Sequence, residues 1–321
     1  MPSFSYILQQ ITIYYGIPVL AAGLVGGTLS SIVFLSLKTF RQSSCAFYLT
    51  VMSIVNIGQL LTGLLSRIMI NGYGNDLTTT SEFYCKLRYF LLQFCTLLSL
   101  TSISLATIDQ CFTTSLSPRW QRWSNLKIAH RLILLFTIVW ALHGILYLVF
   151  FVQIYSPDLG KTTCSITDAT FLVYHAYGYF LILSGFLPIG ITILFALLAF
   201  HNIRRSMHQN VPIFHRELDK QLTMMVLVQV VVNALTLLPS NVLTAVQKDN
   251  STISDPVVAA RVQFAQNLSI LWYYLNFTSP FYIYLCVSER FRRQFIYVIY
   301  DMHFNRYRRP QIVINQVVPT I

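Results

Sequence analysis

The sequence predicts an all-α membrane protein, a seven-transmembrane helix bundle with a short amphipathic eighth helix, on three observations. The 321 residues are 55% hydrophobic and only 10% charged, too few charges to solvate the surface of a water-soluble fold. Apolar runs near bilayer length recur at 17–37, 47–70, 87–112, 131–152, 171–200, 222–246 and 262–287, and only helices leave no backbone group unpaired in lipid. An odd number of spans puts the termini on opposite sides, and sixteen of the 22 Lys and Arg then share the side of the C-terminus. That asymmetry predicts an N-terminus outside and a C-terminus in the cytoplasm. Five of the 11 acidic residues share the inner side, so the whole net charge of +11 faces the anionic inner leaflet. A basic balance that in a soluble protein would suggest nucleic acid is thus explained by the lipid bilayer, and no nucleic-acid partner is expected.

The elements follow in order. The first residues carry neither a basic n-region nor a small-residue cleavage site, so the first run is expected to serve as an uncleaved signal anchor. Pro18 opens that run, and Ala21, Ala22, Gly23, Gly26, Gly27, Ser30 and Ser31 suit close helix packing. The second carries a mid-membrane Asn56, a helix-to-helix hydrogen-bonding residue, and Arg67, expected to snorkel to the headgroups. The third run is the central one: Gln93, Thr96, Ser99, Thr101, Ser102, Ser104 and Thr107 are more polar groups than a lipid-facing helix would carry. Runs five, six and seven each hold one interior proline, Pro188, Pro239 and Pro280. Each removes a backbone donor and frees a carbonyl that needs another partner, so these are expected to be kinked helices able to hinge. After the seventh run, Phe291, Phe295, Val298 and Ile299 recur at helical spacing, with Arg292 and Arg293 projecting elsewhere, an amphipathic helix over 288–300 on the inner membrane surface. A short cytoplasmic tail, 301–321, completes a single domain over 1–321 without linker or repeat.

Of six cysteines, only Cys85 and Cys164 fall on the predicted outer side, so a disulfide is expected between them. Asn250 heads an Asn-Ser-Thr glycosylation acceptor in an outer loop. No mid-membrane carboxylate pair, His-x-x-x-His pair or Gly-x-Ser-x-Gly elbow is present, so no enzyme, metal or cofactor is expected. Transporters tend to place charges or broken helices at the midplane of two matching halves, whereas here the prolines crowd into the second half.

These residues together resemble a rhodopsin-like G-protein-coupled receptor, similar to the divergent invertebrate sets grouped with peptide receptors. The resemblance rests on the Cys85 and Cys164 pair, Asp109, Trp140, and Pro188, Pro239 and Pro280, and covers all seven spans and the eighth helix. It implies a multi-pass plasma-membrane protein passing the binding of an extracellular ligand, a peptide by first choice, to a cytoplasmic heterotrimeric G protein. A transporter, a lipid scramblase or a non-signalling receptor-like protein is the alternative. The departures are specific. Gly27 replaces the family's Asn in span one, Asn56 its Asp in span two, Gln110 the Arg of its Asp-Arg-Tyr triplet, Leu237 its aromatic before the span-six proline, and Ser279 the Asn of its Asn-Pro-x-x-Tyr.

Each departure carries an expectation. The polar core of Asn56, Ser99, Asn276 and Ser279 lacks the carboxylate needed to hold Na⁺, so ligand binding should not depend tightly on sodium. Gln110 offers Asp219 only a neutral hydrogen bond, about half as strong as a charge-assisted one, so the resting latch should be loose. Asp109 lies at a helix C-terminus, where the dipole disfavours an anion, and should find a cationic or hydroxyl partner in the second inner loop, Arg119 and Arg122 being candidates. Leu92 stands where amine receptors keep an acid, which argues against an amine ligand. Arg88, Gln93, Tyr174, His175, Tyr177, Asn241, Gln263, Gln266 and Tyr273 are the candidate pocket residues, Arg88 to receive a ligand carboxylate; packing explains each as well.

Overall fold

Short polar residues set where the helices begin. Ser43, Ser81, Asn125, Asp168 and Ser288 each sit in extended backbone and accept from an amide of the first turn, satisfying a donor the helix leaves over. The computed structural model describes residues 4–36, 38–156, 161–206, 213–248, 256–298 and 300, apart from some side chains near the segment ends. In chain order these form α1 (Phe4–Ser36), α2 (Lys38–Arg41), α3 (Ser44–Gln59), α4 (Glu82–Thr113), α5 (Pro118–Gln121), α6 (Leu126–Phe150), β1 (Phe151–Ser156), β2 (Lys161–Ile166), α7 (Ala169–Val173), α8 (Leu187–Ser206), α9 (Ile213–Lys248), α10 (Pro256–Tyr273), α11 (Leu275–Thr278), α12 (Pro280–Val287) and α13 (Glu289–Tyr297). Wider π-helical turns extend α3 through Leu60–Leu65 and Ile68–Gly72, and join α7 to α8 through Tyr174–Phe186.

Among the described residues, six continuous helices are long and apolar enough to cross a bilayer: Tyr6–Ser36, Ser44–Gly72, Glu82–Thr113, Leu126–Phe150, Ala169–Arg205 and Gln221–Thr244. The chain is therefore a multi-pass helical membrane protein. The seventh apolar run is helical but interrupted at Tyr274 and Ser279, into α10, α11 and α12. Pro280 has no amide proton to continue the ladder, which accounts for the second break. This broken segment packs between α1 and α9, where Thr278 Oγ1 donates to Val19 O at 3.3 Å and Tyr282 OH to Ala22 O at 3.1 Å.

The centre of the bundle is α4, which touches α3, α6, α8 and α9. Its apolar window is 72% buried inside the protein, against 11% for α6, whose Leu134, Leu135, Ile138, Leu142 and Val149 are exposed and face the lipid side. The small residues of α1 serve packing, as their composition suggested. A Cβ on Gly27 would meet Ile57 Cγ1 at 2.8 Å, and one on Gly26 would meet Phe281 Cβ at 3.0 Å.

Two boundaries depart most from expectation. Helix α1 begins thirteen residues before 17, so Pro18 lies inside it rather than opening it. At about 1.5 Å per residue the helix is longer than the hydrocarbon core and must tilt or project. Residues Phe151 and Val152, assigned by apolarity to the fourth span, instead start an antiparallel hairpin that pairs Gln153 with Cys164, a small β element in an otherwise helical chain. Helix α13 carries the expected apolar face, with Phe291 and Val298 buried, while Ile299 and the tail 301–321 fall outside the described residues.

Candidate functional site

The polar groups gather in three places along α4, beginning at the end that carries the hairpin. Cys85 and Cys164 form the expected disulfide, with Cα atoms 5.9 Å apart. It ties the start of α4 to β2, while Tyr89 stacks on Phe151 with ring centroids 3.9 Å apart and Gln153 Nε2 donates to Thr78 O at 2.5 Å. The hairpin is therefore fixed across the end of the bundle. Behind it, Gln93 is buried and its Nε2 donates to Trp140 O at 3.2 Å. Trp140 Nε1 in turn donates to Thr101 Oγ1 at 2.9 Å. His143 Nε2 meets Tyr174 OH at 2.5 Å, and His175 stacks on Tyr179 at 5.5 Å. On the other side of α4, Thr96 Oγ1 lies 3.2 Å from Tyr273 OH. Gln266 Nε2 reaches Thr244 Oγ1 at 3.5 Å. Tyr177 and Gln263 are exposed, so of the candidate pocket residues these two stand apart. Asn250 lies outside the described residues.

At mid-bundle, Ser99 Oγ donates to Asn56 Oδ1 at 2.5 Å, joining α4 to α3. Asn276 Oδ1 and Ser279 Oγ, from the broken seventh segment, are buried without a protein partner among the described residues. The prolines give the clearest geometry. Pro188 lacks the amide that an α-helical turn would aim at the carbonyl of Ser184, in the π-helical stretch before it, and that carbonyl accepts from Asn241 Nδ2 of α9 at 3.0 Å. Pro239 frees the carbonyl of Leu235, which accepts from Trp272 Nε1 of α10 at 3.2 Å. The two proline-associated carbonyls are thus each bonded by a side chain of a neighbouring helix. Leu237, two residues before Pro239, packs with Leu100 and Ile189 where α4, α8 and α9 meet.

At the opposite end, Asp109 is buried and accepts from Ser44 Oγ and Ser124 Oγ, each at 2.8 Å. Ser124 lies in the loop between α5 and α6, so a hydroxyl from the expected loop reaches this acid. Arg119 and Arg122 are exposed, and the ion pairs among the described residues are Lys86 with Glu82 and Arg293 with Glu289. Gln110 Oε1 accepts from Thr223 Oγ1 of α9 at 2.8 Å. Asp219 lies one turn earlier on α9, with its side chain outside the described residues. Gln221 Oε1 accepts from Ser288 Oγ at 3.0 Å and from the Arg290 amide at 3.1 Å, fastening α13 to α9.

Sequence reasoning passed over Thr223, Ser44, Ser124 and Trp272, and it gave Arg67 to the headgroups. Arg67 instead turns into the bundle and donates from Nη1 to Asn267 Oδ1 at 2.8 Å. Only the proline rule carried a signal here, since a freed carbonyl demands a donor on a neighbour. Among the described residues no group of three His, Cys, Asp or Glu is placed to hold a metal ion. Compared with models of known protein families and with curated proteins, the chain matches none.

Proposed function

We propose that this chain is a plasma-membrane receptor of the rhodopsin-like G-protein-coupled type. In this reading α10 to α12 form the seventh span and the disulfide end faces outward. Ligand binding there changes how a cytoplasmic G protein meets the other end. The observation that carries the reading is the pair of cross-braced kinks, Ser184 to Asn241 and Leu235 to Trp272. They lie between the aromatic and amide groups under the hairpin and the Gln110 to Thr223 contact, both of which involve helices the braces join. A helix whose bend is fixed by its neighbour passes a shift at one end to the other. Several of the buried contacts between helices join neutral hydroxyls and amides, as Ser99 with Asn56 and Thr223 with Gln110, which suits a bundle with two packings. The favoured ligand is a peptide, and Arg119, Arg122, Arg204, Arg205 and Arg216 would form the basic surface meeting the G protein.

The test is a screen of peptides and small molecules on cells expressing the chain, read by calcium and cAMP. The reading expects at least one compound whose response is lost when Trp272 and Asn241 are both replaced by Leu while surface expression is kept. A silent screen, together with solute or lipid flux in vesicles carrying the purified protein, would replace it with the transporter or scramblase reading.

A further inference from the structure

Two arginines at the disulfide end are held in the bundle with no acid paired to them among the described residues. Arg67 comes from the end of the helical stretch after α3 and Arg88 from α4, one turn beyond Cys85. Both are half-buried. Arg67 bonds sideways to Asn267 and stands one turn beyond Gly63, where a Cβ would meet Leu92 Cδ2 of α4 at 2.8 Å as well as the hydroxyl of buried Tyr274; Arg88 stands one turn before Leu92, so the two arginines lie at the same level on neighbouring helices. Arg88 lies 5.2 Å from the Tyr89 ring centroid, and its Nε is buried without a protein partner. Tyr274 can stand under the pair because residue 63 is glycine: a Cβ there would meet the phenol oxygen at 2.7 Å.

The described acids at this end are all engaged elsewhere. Asp76 accepts from Thr78, Glu82 pairs with Lys86, and Asp168 caps α7. Two guanidiniums at one level of neighbouring helices, in a partly dehydrated place, are stabilised by an anion that lies between them. A planar fork with fixed N–H groups matches a carboxylate better than it matches water.

We propose that Arg67 and Arg88 together bind a carboxylate of the extracellular ligand, with Tyr274 and Asn267 holding Arg67 in position. The proposal rests on the receptor reading only for the role of the bound molecule as a signal. Binding itself requires no G protein.

The experiment uses the purified full-length protein in phosphatidylcholine nanodiscs, with acetate, succinate and glutarate as probes at constant ionic strength against chloride. At about ten times its Kd, a probe should raise the unfolding temperature by roughly 3 °C. Arg67→Gln and Arg88→Gln should each abolish the rise. Arg67→Lys and Arg88→Lys, which keep the charge and lose the fork, should weaken it at least tenfold by about the value of one charge-assisted bond. Arg131→Gln, exposed at the opposite end, should leave it intact. Should a Gln variant not fold, as judged by its melting in chloride, the Lys variants decide. The proposal is overturned if no carboxylate exceeds chloride, or if the rise survives in the arginine variants. It is also overturned if only added phosphatidylglycerol produces the arginine-dependent rise, which would make the pair a headgroup anchor. Nucleotide exchange is measured separately, so a failure of the receptor reading and a failure of this one are told apart.

Discussion

Replacing Asn241 with Leu should cost about 1 kcal/mol in the native protein and close to nothing once Pro188 is replaced by Ala. Asn241 is 1% exposed, and its Nδ2 donates to the Ser184 carbonyl at 3.0 Å. Its Oδ1 has no protein partner among the described residues, so a single bond is at stake. Membrane hydrogen bonds are worth roughly 0.6 kcal/mol on average and up to about 1.7, while an unsatisfied buried carbonyl costs about 1–3 kcal/mol. Truncating Asn241 exposes that second penalty because Pro188 cannot supply the missing amide. With Ala at 188 the restored backbone N–H allows α-helical pairing with Ser184 in place of the π-helical register that ends there, and Asn241 loses its role. The double-mutant cycle should therefore show a coupling of about 1 kcal/mol, or roughly 1.5 °C in unfolding temperature. Thermal unfolding of the four purified proteins in one detergent measures it. An equal loss in both backgrounds would refute the bridged-kink argument.

Further outcomes follow from other contacts. Cys85→Ser opens a cross-link spanning 79 residues, for which loop-closure entropy gives about 4 kcal/mol; melting with and without reductant checks it, and no change would count against the bridge. Gln110→Arg places a cation beside Thr223 and one turn from Asp219, so ligand-independent signalling in a cell assay should fall, whereas unchanged signalling would remove the loose-latch idea. Because the Asn56 to Ser99 pair is neutral, exchanging sodium for choline should change the affinity of any agonist by less than about twofold. A tenfold change would contradict it.

Much of the helical layout is legible in the sequence because lipid leaves one solution for long apolar runs. The disulfide was legible too, since topology isolates Cys85 and Cys164 from the other four cysteines. Pro188 and Pro239 announced freed carbonyls, but not the donors. Asn241 and Trp272 reach them only because of how α9 and α10 rotate, which no local pattern encodes. The hairpin was hidden by apolar Phe151 and Val152, although Gln153 and Tyr155 alternate with Val152 and Ile154, and Thr162 and Thr163 are β-branched residues that favour a strand. Arg67 was misplaced because snorkelling is the usual fate of an arginine near a span end, and Asn267, two hundred residues away, was needed to turn it inward. Asp109 needed a partner on dipole grounds, and the choice of Ser44 and Ser124 over Arg119 and Arg122 is a matter of reach through a short loop.

The central claim, that this bundle transmits a conformational state to a G protein, is tested most directly by ligand-free guanine-nucleotide exchange. Vesicles carrying the purified protein would be mixed with each class of heterotrimer. The account predicts exchange above empty vesicles for at least one class, reduced by Gln110→Arg. Exchange at the empty-vesicle rate for every class, with lipid or solute flux through the same vesicles, would contradict it.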